Sequence, residues 1–205
     1  MKVLIFNGSP KKDGNTAIAI NELVETFKKE EVECEVMHIG NQDIRGCIDC
    51  GKCREIGKCA IDDVVNVAAK KLDEADGVIV CSPVYFASAN GTMISFLDRL
   101  FFSTGYEKYM KVGASVAVAR RGGCSATFDQ LNKYFTLQGM PIASSQYWNS
   151  VHGLEPGDAK KDAEGLQIMR TLARNMTFLM KSIALGKEKY GLPQTEERIS
   201  THFIR

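Results

Sequence analysis

The chain has 205 residues, of which 44% are hydrophobic and 25% charged, as in ordinary globular proteins. Its formal net charge of +1 argues against a general electrostatic attraction to nucleic acid or to an anionic membrane. No apolar run approaches the roughly 20 residues that span a bilayer, and the N-terminal MKVLIFNGSP lacks the long apolar region of a signal peptide. We therefore expect a cytoplasmic protein without a nucleic-acid or membrane partner.

Apolar runs of strand length alternate along the chain with longer segments of helical periodicity. The predicted strands are, in chain order, residues 3–6, 34–39, 77–83, 114–119 and 142–148. The predicted helices are residues 15–29, 64–74, 91–102, 125–137 and 158–184. This alternation predicts parallel strands with right-handed crossovers, and the continuously apolar VLIF, VIV and VAVA predict strands covered on both faces. We predict one three-layer α/β domain at residues 1–185 and a tail at residues 186–205.

The first predicted strand leads through GSPKKDGNT, residues 8–16, into a helix. Free backbone N–H groups and the positive end of a helix favour an anion at such a turn. A Walker A loop would carry a lysine after its second glycine, but Asn15 stands there, and the dinucleotide pattern G-x-G-x-x-G is also missing. The sequence therefore favours a terminal phosphate monoester over a nucleoside triphosphate, with an ordinary strand-to-helix turn as the alternative. The candidate donors are Ser9, Lys11 or Lys12, Asn15 and Thr16.

The third predicted strand ends in CSPVYFASANG. In a doubly wound sheet of order 2-1-3-4-5 the first and third strands are neighbours, and their carboxyl ends flank the switch point where ligands bind. Residues 9–16 and 83–86 are therefore predicted to face one another across a crevice. Pro83 restricts the backbone there, whereas Tyr85 and Phe86 offer flat apolar surface for a ring system.

A third loop, ARRGGCSAT, leaves the fourth predicted strand at the same edge of the sheet. Its paired glycines permit close approach of the backbone, and Arg120 and Arg121 offer positive charge. A phosphate monoester at one end of the crevice and a planar ring at the other describe flavin mononucleotide (FMN).

Three segments, GSPKKDGNT, SPVYFASANGTMISFLDR and the glycine-rich loop after strand four, resemble the NADPH-dependent FMN reductase branch of the flavodoxin-like fold, over roughly residues 1–150. The resemblance implies a flavodoxin-like, doubly wound, five-stranded parallel sheet of order 2-1-3-4-5. It implies an enzyme that passes electrons from NAD(P)H to a quinone, a flavin or a similar acceptor, without a catalytic acid–base side chain. It also implies a homodimer or homotetramer, for which the apolar helix at residues 91–102 is a candidate contact.

The resemblance further implies which residues bind FMN. At the phosphate these are Ser9, Lys11, Gly14, Asn15 and Thr16. Around the isoalloxazine ring they are Pro83, Val84, Tyr85, Phe86, Arg120, Arg121, Gly122 and Gly123.

Four of the seven cysteines lie in CIDCGKCREIGKC, the loop after the second predicted strand, which we call the cysteine loop (residues 47–59). Their spacing is C-x2-C-x2-C-x5-C, close to the ferredoxin pattern C-x2-C-x2-C-x3-C. Zinc ribbons instead use two C-x2-C pairs some 15–20 residues apart. The pattern resembles the compact motif of iron–sulfur flavoproteins, which implies a [4Fe–4S] cluster ligated by Cys47, Cys50, Cys53 and Cys59.

Several interpretations remain open at this point. The chain is either an FMN-dependent NAD(P)H oxidoreductase whose cysteine loop is a reduced, packed cap, or an iron–sulfur flavoprotein that receives electrons from ferredoxin through the cluster. A nonredox regulatory module with zinc in the cysteine loop is the third possibility. Outside these motifs, the paired Asp62 and Asp63 are interpreted as a helix N-cap, and Trp148 is interpreted as a core residue.

Overall fold

A computed structural model of the chain describes residues 1–104, 108–197 and 199–204. Its strands are β1 (Lys2–Asn7), β2 (Glu33–His38), β3 (Gly77–Tyr85), β4 (Ser88–Ala89), β5 (Val112–Ala119) and β6 (Ser150–His152). Its α-helices are α1 (Asn15–Lys29), α2 (Cys53–Ile56), α3 (Val64–Glu74), α4 (Gly91–Ser103), α5 (Cys124–Leu137) and α6 (Ala163–Tyr190). A 3-10 turn at Asp158–Lys161 precedes α6.

The sheet has the order β2-β1-β3-β5-β6, and all of these neighbours are parallel. The short β4 pairs antiparallel with the end of β3. Apart from this hairpin, which the sequence analysis did not predict, the order is the predicted 2-1-3-4-5 arrangement, and the cysteine loop follows β2 as expected.

The core has two layers because successive side chains of a strand point to opposite faces. Val3 and Ile5 of β1 pack with α1 and α6 on one face. Leu4 and Phe6 pack with α3, α4 and α5 on the other face. Burial on both faces explains the continuously apolar strands.

The last strand lies later in the chain than predicted. Residues 142–148 contribute only an isolated bridge between Ile142 and Gly113, whereas Ser150–His152 pairs with residues 117–119 of β5. This strand is too short for a recognisable alternation, since Val151 is its one apolar residue.

Two apolar features also differ from expectation. Trp148 is not a core residue, because 56% of its side chain is exposed and its ring packs against Tyr147. The apolar face of α4, which includes Met93, Phe96 and Leu100, is buried in the chain's own core. Any contact between copies would therefore need other residues of α4.

The helices mostly follow the sequence pattern. α1 and α3 have the predicted bounds, and Asp63 caps α3 by accepting a hydrogen bond from the Val65 N–H at 3.0 Å. α6 begins later than predicted, at Ala163 after the N-cap Asp162, and ends at Tyr190, beyond the predicted residue 184. Among the described helices, none combines the length and apolar character that crossing a membrane requires.

Candidate functional site

The loops after β1 and β3 meet at one edge of the sheet. Asn7 of β1 is paired with Cys81 of β3, and the next N–H, that of Gly8, donates to the Cys81 carbonyl at 2.7 Å. The Asn90 amide donates to the Gly8 carbonyl at 2.8 Å. The predicted juxtaposition of the two loops is thus present. We call the region formed by residues 8–16, 83–90 and 120–123 the strand-end cleft.

Asn90 is a site residue that the sequence analysis missed. It is 7% exposed, and its side-chain oxygen accepts from the Thr92 N–H at 2.9 Å, which caps α4. Its own N–H donates to the Ser82 hydroxyl at 2.9 Å. The signal was an asparagine directly before a helical pattern, but its second role, at Gly8, depends on tertiary structure.

The end of β2 and the loop that follows it pack against the backbone of the first loop, residues 8–16. A Cβ atom at Gly40 would lie 2.2 Å from the Gly8 carbonyl oxygen, so no other residue fits there without a backbone shift. The His38 ring donates from Nε2 to the Ser9 carbonyl at 2.6 Å. Neighbouring strand ends thus hold the backbone of residues 8–9 on both sides.

The first loop forms an open cradle at the N-terminus of α1. Gly14 is the N-cap, and within the described chain no side chain caps this end. The Ser9 hydroxyl is turned into the loop, where it accepts from the Lys11 N–H at 3.1 Å. A Cβ at Gly14 would lie 3.6 Å from that hydroxyl oxygen, an ordinary contact, and 3.2 Å from Lys11 Cβ, a tight one. Uncapped N–H groups and the helix dipole suit an anion here, with Thr16 buried alongside.

Asn15 is placed beside the cradle, but its amide group binds a different segment. Its Nδ2 donates to the Glu155 carbonyl at 3.0 Å. Its Oδ1 accepts from the N–H groups of Gly157 and Ala159 at 3.1 and 3.2 Å. The side chain therefore holds the loop that follows β6 against the start of α1.

The β3–β4 hairpin presents an exposed aromatic ring on a strained turn. Tyr85 pairs with Ser88, and the two residues between them, Phe86 and Ala87, have φ values of 53° and 58°. Such left-handed pairs normally use asparagine and glycine. The Phe86 side chain is fully exposed, at 105% of its reference area. Strain of this kind, of order 1–3 kcal/mol per residue, is concentrated at functional sites.

The loop after β5 packs closely against this hairpin. Gly123 has a φ of 91°, and a Cβ there would lie 2.8 Å from Val84 Cγ1 and 2.9 Å from Ala87 Cα. A Cβ at Gly122 would meet nothing within 4 Å. The third loop thus closes the strand-end cleft through the backbone of Gly123.

The other predicted ring contacts lie at the same edge. Pro83 is half-buried near the end of β3, and Arg120 and Arg121 are exposed directly after β5. Gly123 is also the N-cap of α5, again without a capping side chain in the described part of the chain. The uncapped N-termini of α1 and α5 and the two arginines therefore lie at the strand-end cleft. We expect a positive electrostatic potential there.

A thiol and an imidazole meet beside the third loop. Cys124, the first residue of α5, has its Sγ 3.8 Å from His152 Nε2, and the backbone N–H of His152 donates to the Asp162 carboxylate at 2.6 Å. Burial, with a smaller contribution from the negative Asp162, raises the pKa of the Cys124 thiol. We therefore expect a neutral thiol at neutral pH.

The cysteine loop is a separate structure that packs on α3 and α4. All four of its cysteines line one pocket, together with Arg99 and Phe102 of α4. Cys47 and Cys50 are exposed, Cys53 and Cys59 are half-buried, and all four are free. Among the described residues, no three histidine, cysteine or acidic side chains are arranged around a single metal ion.

Arg99 anchors the cysteine loop and was also missed by the sequence analysis. It is 1% exposed, and its Nε and Nη2 both donate to Cys59 Sγ at 3.3 Å. Nη1 and Nη2 bind the two Asp63 carboxylate oxygens at 2.6 and 2.9 Å. Burial works against the charge, but these hydrogen bonds raise the pKa of the Arg99 guanidinium on balance. The signal was an arginine beside Asp98 among the apolar residues of FLDRLFF.

Comparisons with known proteins agree with this arrangement. The sequence matches the NADPH-dependent FMN reductase family over residues 1–154. An iron-sulfur flavoprotein of Methanocaldococcus jannaschii is 34% identical over 191 residues, which cover 89% of this chain and 99% of that protein.

Solved structures show the same fold. A flavodoxin from the domain Archaea superposes with a TM-score of 0.60 at 15% identity, covering 88% of this chain and 99% of that chain. The structure of RosB with bound 8-demethyl-8-formylriboflavin-5'-phosphate has a TM-score of 0.71 at 16% identity, covering 100% of this chain and 94% of that chain. The fold is thus flavodoxin-like, and the chain belongs to the NADPH-dependent FMN reductase family of flavin-dependent oxidoreductases.

Proposed function

We propose that this chain is a cytoplasmic FMN-dependent oxidoreductase whose cysteine loop carries a [4Fe–4S] cluster. The observation that carries the flavin assignment is the hydrogen bond from Asn90 to Gly8. It joins an open, uncapped helix N-terminus to a hairpin with an exposed aromatic ring. These are the two surfaces that a phosphate and a planar ring require.

The phosphate would lie in the cradle of residues 8–16. Backbone N–H groups in the first turn of α1, including those of Asn15 and Thr16, would bind the phosphate oxygens, with the Ser9 hydroxyl and Lys11 as additional donors. Because the Asn15 amide group is hydrogen-bonded to Glu155 and Gly157, we propose that this side chain positions the helix N-terminus.

The flavin ring would lie between the β3–β4 hairpin and the loop after β5. Pro83, Val84, Tyr85 and Phe86 would provide its apolar surface, and the exposed Gly122 leaves room for its edge. The N–H groups of Gly122–Gly123 and the side chains of Arg120 and Arg121 would place positive charge there. FMN, when bound, supplies the hydride- and electron-transfer chemistry that side chains lack.

The four cysteines fit an iron–sulfur cluster better than a zinc ion. A zinc ion draws four thiolates to about 2.3 Å from one centre, whereas the four ligands of a [4Fe–4S] cluster surround a larger body. Cys47, Cys50, Cys53 and Cys59 line one pocket, and their C-x2-C-x2-C-x5-C spacing is close to the ferredoxin pattern. The iron-sulfur flavoprotein relative supports the same assignment.

Two electron donors are candidates, each favoured by its own observation. The family description favours NAD(P)H, and the cysteine loop, with Cys47 and Cys50 exposed, favours a ferredoxin. The acceptor would be a quinone, a flavin or a similar small molecule. We further propose a homodimer or homotetramer.

Anaerobic purification followed by analysis of FMN, iron and sulfide tests the proposal. We expect about one FMN, four irons and four sulfides per chain, and a visible spectrum with both flavin and cluster absorption. Stoichiometric zinc would instead favour the regulatory module, and a colourless protein that cannot be reconstituted with FMN would contradict the flavin assignment. Anaerobic titration with NADPH, NADH or reduced ferredoxin then identifies the donor by which of them bleaches the spectrum.

A further inference from the structure

The guanidinium of Arg99 is placed to act on the proposed cluster through one ligand. All five of its N–H groups are engaged. Nε donates to Cys59 Sγ, and Nη1 donates to Asp63 and, at 3.2 Å, to the Arg45 carbonyl. Nη2 shares its two N–H groups among Cys59 Sγ, Asp63 and, at 3.0 Å, the Ile61 carbonyl. The side chain is 1% exposed. These partners hold the guanidinium against Cys59.

We infer that Arg99 raises the reduction potential of the cluster by donating two charged hydrogen bonds to the Cys59 sulfur. The inference rests on the proposed function, because it needs a cluster in the cysteine loop. Reduction adds a negative charge to a cluster and its thiolates, and donors to a ligating sulfur stabilise that charge. Burial strengthens the effect, since water does not screen the interaction.

The effect is concentrated on one of the four ligands. Cys47 and Cys50 are exposed to solvent, so nearby charges there are screened. Cys59 is half-buried and lies against the guanidinium. Asp63 offsets part of the positive charge, and its bidentate contact orients the plane of Arg99 so that the Nε edge faces Cys59. Asp63 is therefore a positioning residue in this arrangement.

Substitution of Arg99 tests the inference when the cluster potential is measured. Arg99→Gln alone would leave Asp63 as a half-buried, unpaired charge, a change that is strongly destabilising in buried pairs. The double variant Arg99→Gln/Asp63→Asn removes both charges and keeps the side-chain oxygen that caps α3. Arg99→Lys keeps a positive charge but lacks the planar fork that contacts both partners.

We expect the double variant to retain iron and to have a lower midpoint potential in a redox titration followed by electron paramagnetic resonance. The expected shift is about tenfold in the ratio of reduced to oxidised cluster at a given potential, equivalent to ~59 mV for one electron. Arg99→Lys should shift in the same direction by less. The matched control is Arg54→Gln, which removes the same charge from an exposed position next to Cys53 and should leave the potential unchanged.

The outcomes separate this inference from the proposed function. A wild-type protein without iron and sulfide contradicts the proposed function and with it the inference. A wild-type cluster whose potential is unchanged in the double variant and in Arg99→Lys overturns the inference alone, as does an equal shift in Arg54→Gln. A double variant that keeps its circular dichroism and FMN but holds no iron also overturns it, because Arg99 would then only place Cys59. If the double variant does not fold, Arg99→Lys decides by the same criterion.

Discussion

The strand-end cleft and the cysteine loop are held together by different means. The cleft is made of backbone: three strand ends, two helix N-termini, and close contacts at Gly8, Gly40 and Gly123. The cysteine loop contains only the single-turn α2 as regular structure, and hydrogen bonds from the buried Arg99 side chain to Cys59 Sγ tie it to α4. The topology of the sheet determines the first region, whereas a few side-chain contacts determine the second.

The two regions nevertheless share α4. Asn90 attaches the start of this helix to the strand-end cleft, and Arg99, about 14 Å further along its axis, attaches the cysteine loop. We therefore expect that the cysteine loop can be altered without harm to the cleft. Substitutions in the cleft, in contrast, should lower the free energy of unfolding of the whole chain, because the cleft is formed by the ends of core strands and helices.

Removing ligands from the cysteine loop should have the strongest consequence of all the substitutions. Cys47→Ser/Cys59→Ser should abolish iron and sulfide binding completely, because two of the four ligands are lost, while FMN content stays unchanged. Metal analysis and flavin fluorescence after release measure both. The control is Cys34→Ser: burial raises the pKa of this thiol to about 12, and it lies on β2 outside the loop. If FMN is lost together with iron, the two regions are not independent.

The next effect belongs to the strand-end cleft. Gly123→Ala should lower the free energy of unfolding by roughly 1–3 kcal/mol, because it combines a left-handed backbone with a clash against Val84 and Ala87. Gly122→Ala, with open space around its Cβ, should leave apoprotein stability unchanged. Urea unfolding of the FMN-free proteins measures both. Equal stability of the two variants would contradict the close packing of the third loop.

Asn90 tests the link between α4 and the strand-end cleft. Asn90→Ser should keep the helix cap but is too short to reach the Gly8 carbonyl, whereas Asn90→Ala loses both contacts. We expect about tenfold weaker FMN binding in each, from the loss of a buried hydrogen bond. Only Asn90→Ala should lose a further ~1 kcal/mol of stability from the missing cap. Fluorescence titration with FMN and urea unfolding separate these effects, and unchanged FMN affinity in both variants would show that the Gly8 contact does not shape the cleft.

The smallest effect is expected at Glu35 of β2, outside both regions, and it provides a baseline. Hydrogen bonds from Lys71 and then Lys2 lower the pKa of the Glu35 carboxyl in the folded state. Its stabilising contribution is therefore present above the unfolded-state pKa and is lost as the pH falls through the folded-state value. Glu35→Gln should cost at most about 1 kcal/mol near neutral pH and nothing at a pH below the lowered folded-state pKa, where wild-type Glu35 is protonated. Urea unfolding at both pH values measures this, and a pH-independent difference would exclude the ion pairs as its cause.

Local patterns were enough to predict most of the fold. α1 and α3 have the predicted bounds because each combines a continuous apolar face with a clear start, at Gly14 and Asp63 respectively. β6 was misplaced because its position depends on pairing with β5, and three residues carry too little pattern to show this.

The candidate site was predictable only in part. The neighbouring positions of residues 8–16 and 83–86 follow from the order of the strands, which the alternation of elements suggested. The contacts of Asn15, Asn90 and Arg99 join residues at least 36 positions apart. No local pattern encodes such pairs, so their roles emerge only from the folded chain.

Position 40 carries a consequence for altering this protein. Gly40 belongs to the loop after β2, outside the cradle. Because it has no side chain, the carbonyl of Gly8 can lie against it. Even a methyl group at that point would force the backbone of Gly8 and Ser9 to move and so alter the cradle. Attempts to adapt the cradle to a larger or smaller anion should therefore begin with Gly40 and only afterwards change the donors that line the cradle.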